Sequence, residues 1–208
     1  MSYLELLKLA LPEAIVTLTA LIVLAIGVVT GRRTVVTGVA PTKPRERAAG
    51  TAPASLSRSS ADTAAASTAS CTLVAALGLI LAIAAIVMLP SRADLFRGML
   101  VISPLNSLFE IVCLVLAFFT ILLASRETSN YGEYLAIVLL ATIGLLLLVS
   151  SEELLMIFIG LELTGLSLYL MTAIDKGDIR SAEAGLKYFL FGSTASAFTL
   201  FGLSLVYG

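Results

Sequence analysis

The chain has 208 residues, 59% of them hydrophobic and only 13% charged. Soluble domains carry about 25% charged residues, so this composition excludes a soluble globular protein and defines an integral membrane one. A net charge of −1 gives no electrostatic case for nucleic acid, and the absence of histidine removes the commonest metal ligand and the usual near-neutral proton shuttle.

Met1 to Lys8 carries Glu5 as well as Lys8 and leads into an apolar run too long for a signal-peptide core. That run reads as a retained spanning helix. Six apolar stretches of roughly 19–25 residues match the length of a bilayer crossing. They are Leu11–Thr30, Cys71–Leu89, Pro104–Ala124, Tyr131–Ser150, Glu153–Ala173 and Glu183–Tyr207. The predicted fold is all-α, a polytopic transmembrane bundle of six spanning helices. Short connections after the third, fourth and fifth helices make those neighbours antiparallel. Residues 1–30 hold the first helix, 31–70 a loop, and 71–208 the other five helices.

The 31–70 stretch is rich in Ala, Ser, Thr, Arg and Pro and has few bulky apolar residues. It cannot bury enough surface to fold alone and is expected to be a flexible loop. Ser91–Ser103 mixes apolar and charged residues and is expected at the interface, as a hairpin or a short helix. Pro12 fits the first turn of the first helix, and Ser181 is the expected N-cap of the sixth. Glu183 fits a cap or a first-turn charge there.

Orientation follows from the basic residues. With the first loop inside, Arg32, Arg33, Lys43, Arg45, Arg47, Arg58, Arg126, Lys176 and Arg180 lie inside, and Lys8, Arg92 and Arg97 outside. This places the N-terminus outside and the long loop in the cytoplasm. Cys71 and Cys113 lie in apolar segments without metal spacing and read as buried, inert thiols.

Glu162 stands near the middle of LLMIFIGLELTGLSLYLMTAI, Leu154 to Ile174. A carboxylate there is unfavourable by about 2.5 kcal/mol or more at a helix centre. At helical spacing, Gly165, Tyr169 and Thr172 share its side. The fifth helix thus has a polar stripe that must face protein or water. Gly160 and Gly165 permit close helix approach. Two readings of Glu162 stand: a proton carrier, or a protonated group that only specifies packing.

Lys187 lies in SAEAGLKYFLFGSTASAF, with Phe191, Thr194 and Phe198 on its side and Gly185, Gly192, Ser196 and Thr199 opposite. It is either a functional cation or an ammonium that snorkels to the interface. From the expected helix ends, Glu162 is roughly 16 Å deep and Lys187 roughly 6 Å. A direct salt bridge is therefore not expected, and coupling through one or two waters is. Glu13, Glu110, Glu133, Glu152 and Glu153 lie near helix ends and read as solvated interfacial carboxylates.

GLELTGLSLYLMTAI followed by RSAEAGLKYFLFGSTASAFTLFGLSLVYG resembles subunit N of the proton-pumping NADH:quinone oxidoreductase, respiratory complex I. LALPEAIV, LFRGMLVISPLNSLF and GEYLAIVLLATIGLLLLVSSEELL fit the same family. The resemblance implies an antiporter-like membrane-arm subunit that moves protons along carboxylates, lysines and water. Glu162 and Lys187 match the family's membrane glutamate and the lysine of the following helix. The resemblance implies that the glutamate pairs with a lysine on a seventh helix, in a fold of about 14 helices, so the chain matches the N-terminal part. It also implies other membrane-arm subunits as partners and a multi-pass location in the inner (plasma) membrane. The residues show no Gly-rich nucleotide loop, haem ligand, cysteine cluster or flavin motif, so no catalytic residue, metal or redox cofactor is expected in this chain. The rival readings are a sodium/proton antiporter subunit and a structural membrane scaffold.

Overall fold

The computed structural model describes residues 11–37, 55–88, 93–95, 100–124 and 131–208. Six helices account for nearly all of them: α1 (Leu11–Thr37), α2 (Ser55–Met88), α3 (Pro104–Leu123), α4 (Tyr131–Ser150), α5 (Leu154–Thr172) and α6 (Ile179–Tyr207). Two three-residue strands, β1 (Ala93–Leu95) and β2 (Leu100–Ile102), pair antiparallel with Asp94 opposite Val101. They make the connection before α3 a hairpin, one of the two forms expected there.

Five helices are long and apolar enough to cross a membrane: the Ala69–Met88 part of α2, and α3 to α6. The apolar part of α1, Leu11–Gly27, is shorter, so among the described residues five such helices stand where six were expected. The 31–70 loop also needs correction. Helical backbone continues to Thr37 and resumes at Ser55, and only 38–54 of that stretch lies outside the described residues. The reason is that nucleation is the unfavourable step of helix formation. A span supplies the nucleus, and the run ADTAAASTAS preceding Cys71 is rich in alanine, the strongest helix former.

Helix starts follow local chemistry. Ser103 caps α3, its Oγ accepting from the Asn106 amide at 3.2 Å, with Pro104 in the first turn, where its missing N–H leaves no bond unmade. Asp178, not Ser181, caps α6, its Oδ1 accepting from the Arg180 amide at 2.9 Å. The Ser181 hydroxyl instead donates to the Thr172 carbonyl at 2.8 Å and ties α6 to the end of α5.

α4 is the centre of the bundle. It packs against α1, α2, α3 and α5, whereas α6 packs against α5 alone among the described elements. Lipid tails give apolar helices no hydrophobic reason to associate, so close backbone approach at small residues carries the packing. Gly27 of α1 meets Gly132 of α4 so closely that a Cβ on Gly27 would stand 3.0 Å from the Gly132 Cα. Gly160 of α5 meets α4 in the same way, 3.0 Å from the Gly144 carbonyl oxygen. Around these crossings Val16, Val23, Leu79, Leu114, Ile121, Leu135, Leu139 and Leu146 fill the core. Many hydroxyls inside the spans bond to their own helix, as Thr142 does to Val138 and the fully buried Ser167 to Leu163, each at 2.8 Å, while Thr72 of α2 donates to the Tyr131 hydroxyl of α4 at 3.1 Å.

Candidate functional site

Glu162 is the ninth residue of α5 and is half-buried. That puts it about 12 Å from one end of the helix and about 15 Å from the other. Among the described residues no hydrogen bond or ion pair reaches its carboxylate. Gly160, two residues earlier, turns toward α4, while Gly165 does not serve helix approach. A Cβ on Gly165 would stand 3.2 Å from the Tyr169 hydroxyl of the same helix. The stripe from Glu162 to Tyr169 is therefore continuous, with the phenol lying back over Gly165.

Thr172 extends the stripe but offers no free donor. Its hydroxyl is shared between the Leu168 and Tyr169 carbonyls, at 3.0 and 2.9 Å.

The structure does not bring Lys187 to Glu162. Gly185 packs on Ala173 and Gly192 on Tyr169, so these two residues mark the face of α6 turned to α5. Lys187 points the other way, with 67% of its side chain exposed. Its ammonium donates to Glu183 Oε1 at 2.6 Å, one turn earlier. Exposed pairs of this spacing are worth only about 0.3–0.5 kcal/mol in water, so Lys187 is held loosely. Because α6 begins at Ile179 rather than Glu183, Lys187 is deeper than the sequence suggested, about 12 Å from the helix start. Its depth is thus close to that of Glu162, and it is orientation that separates them.

Of the other acids, Glu133 keeps its expected place at a helix end, while Glu110 and Glu13 do not stand as the sequence suggested. Glu133, at the start of α4, accepts from the Lys176 ammonium at 2.6 and 2.8 Å, which fixes the α5–α6 connection to α4. Glu110 is only 7% exposed, and Glu13 lies within electrostatic range of it. Oε2 of Glu13 is buried with no hydrogen-bond partner. Glu110 is thus buried on α3 and Glu13 half-buried on α1, so neither is a freely solvated interfacial group. The signal was present in the sequence: Glu110 shares its helical face with Leu114, Ala117 and Ile121, all buried. Cys71 is buried, Cys113 is half-buried, and both are free thiols.

Residues 151–208, which carry Glu162, Tyr169 and Lys187, match the family described as NADH:quinone oxidoreductase/Mrp antiporter, TM. The fold and the polar stripe thus define an antiporter-like, multi-pass membrane protein. NADH-quinone oxidoreductase subunit N 2 of Acidobacterium capsulatum is 34% identical over 218 residues, covering 100% of this chain and 38% of the relative. Subunit N of Moorella thermoacetica is 40% identical over 139 residues, 65% of this chain and 29% of its own. A chain of respiratory complex I from Thermus thermophilus, solved with bound aureothin, superposes with a TM-score of 0.56 at 32% identity, over 66% of this chain and 31% of that one. The chain is thus similar to NADH-quinone oxidoreductase subunit N, and spans well under half the length of these relatives.

Proposed function

We propose that the chain is a membrane-arm component of a redox-driven proton pump in a bacterial inner membrane, coupling NADH:quinone electron transfer to proton translocation. The observation that carries this reading is Glu162: a carboxylate in mid-span, without a partner among the described residues, inside the segment that matches the family. Intramembrane carboxylates are retained for the proton or charge they handle. The names of the relatives and the complex I likeness support the redox-coupled version over a sodium/proton antiporter, although the matching family spans both.

In this reading Glu162 takes up and releases a proton. Lys187, level with it but turned outward, acts on whatever lies beyond α6. Other membrane-arm subunits, antiporter-like ones among them, are the partners. The basic residues support an N-terminus outside, α1 as a sixth crossing and 38–54 in the cytoplasm. The chain itself supplies no redox group, consistent with its lack of histidine and its two separated cysteines.

The test is Glu162→Gln in the assembled complex, followed by NADH-driven proton uptake in inverted vesicles. Pumping should fall while assembly is retained. Unchanged pumping at normal assembly would sink the reading, and loss of assembly would show a packing role. Proton exchange that needs sodium but not NADH would select the antiporter alternative.

A further inference from the structure

The Tyr169 hydroxyl occupies a slot with two glycine walls. On its own helix a Cβ at Gly165 would stand 3.2 Å from it, and on α6 a Cβ at Gly192 would overlap it outright. The ring is wedged edge-on against Tyr188, centroids 4.8 Å apart at 82°, and Phe189, 5.9 Å apart at 81°. These two α6 rings fix the phenol sideways, and the glycines leave room only for its tip.

Helical side chains lean toward the N-terminus of their own helix. Tyr169 therefore reaches back over Gly165, in the direction of Glu162. The two α-carbons are seven residues, about 10 Å, apart along the axis, and a tyrosine leaning back closes most of that gap. Electrostatic interaction between Glu162 and Tyr169 is consistent with this approach. Among the described residues the hydroxyl makes no hydrogen bond, and Glu162 accepts none. A donor without an acceptor and an acceptor without a donor thus lie on one stripe of one helix.

We propose that Tyr169 is a positioning residue for Glu162, its slotted hydroxyl donating a hydrogen bond, directly or through one water, to the Glu162 carboxylate. A hydrogen bond to the ionised form favours that form. The hydroxyl would also hold the carboxylate in one orientation along the stripe. The slot also makes this setting depend on the α5–α6 contact: if α6 moves, the hydroxyl loses its wall. The proposal deepens the reading of Glu162 above and rests on it for its functional meaning.

Tyr169→Phe removes the hydroxyl and keeps the ring. The readout is a pH titration of the Glu162 carboxyl by infrared difference spectroscopy on the assembled complex, with its band identified as the one abolished by Glu162→Gln. The midpoint should move up by about one pH unit in Tyr169→Phe, in line with the loss of one hydrogen bond to a charged group. Gly192→Ala, which closes the slot from α6, should move it the same way. An unchanged midpoint in Tyr169→Phe would overturn the proposal, whether or not Gly192→Ala assembles. Failure of the proton-carrier reading is separate: it would appear as normal pumping in Glu162→Gln, with the Tyr169-dependent shift intact.

Discussion

α4 and α6 are both long apolar helices, yet they are opposites in surroundings. Half of the residues of α4 are buried inside the bundle, whereas α6 buries Gly185 alone. α4 is wrapped on several sides by α1, α2, α3 and α5, and its small residues touch neighbouring backbones. α6 touches α5 alone among the described elements and exposes Phe191, Phe198 and Phe201. In water such a helix would be a liability, whereas in lipid an apolar face is at home. The difference teaches that the bundle keeps its packing around α4, whereas the proposed function places its chemistry on α5 and α6.

Substitutions can break or sharpen this contrast. Gly132→Leu should have the largest effect, because its side chain would meet the Gly27 backbone. Overpacking of this kind is unfavourable by about 1–3 kcal/mol or more, and the protein should fail to accumulate in membranes. Normal accumulation would show that the α1–α4 crossing is not essential. Glu162→Gln should leave accumulation normal while lowering proton translocation by roughly 10²-fold, the low end for a positioned proton-transfer group. A stability loss as large as that of Gly132→Leu would erase the division between packing and chemistry.

Glu110→Leu should raise stability by about 1 kcal/mol, since it replaces a buried carboxylate by an apolar side chain on the buried face of α3. A lower thermal midpoint in detergent would reveal a partner for Glu110. Glu133→Gln should cost at most about 1 kcal/mol, the upper range for a largely exposed pair, seen as a small drop in the same midpoint. Phe198→Ala on the free face of α6 should change stability by less than about 0.5 kcal/mol. A larger loss in assembled membranes would mean that this face is covered there.

Much of this arrangement was legible in the sequence. The spans were readable because membrane crossings need long apolar runs, and α3 and α4 begin where the sequence placed them, at Pro104 and Tyr131. Glu162 was readable because a lone carboxylate in such a run is rare. The Gly160 contact was also legible, as a small residue in a span. What escaped depended on relations between helices. The Tyr169 slot needs Gly192 on another helix, and no periodicity within α5 shows it. That Gly185 and Gly192 form a packing face opposite Lys187 was legible as small residues on one side of α6, but that this face meets Ala173 and Tyr169 was not. The burial of Glu110 was missed because nearness to a helix end was taken for exposure, although position on the buried stripe decides it. The helical stretch from Ser55 was missed because composition was judged without the span that nucleates it.

The Gly185–Ala173 contact has a mechanical consequence. A Cβ on Gly185 would lie 2.6 Å from the Ala173 Cβ, so α6 bears on the end of α5 with no slack at this point. The Lys176–Glu133 pair clamps the adjoining connection to α4. From this fulcrum α6 runs on to Tyr207, a lever arm about 33 Å long. A tilt of about 5° at the pivot would swing its tip by about 3 Å, which is half the width of a side chain row. Gly192 lies a third of the way along the arm, so the same tilt would shift it by about 1 Å. Small rotations at a fixed pivot are thereby graded along the helix, fine at the phenol slot and coarse at the far end.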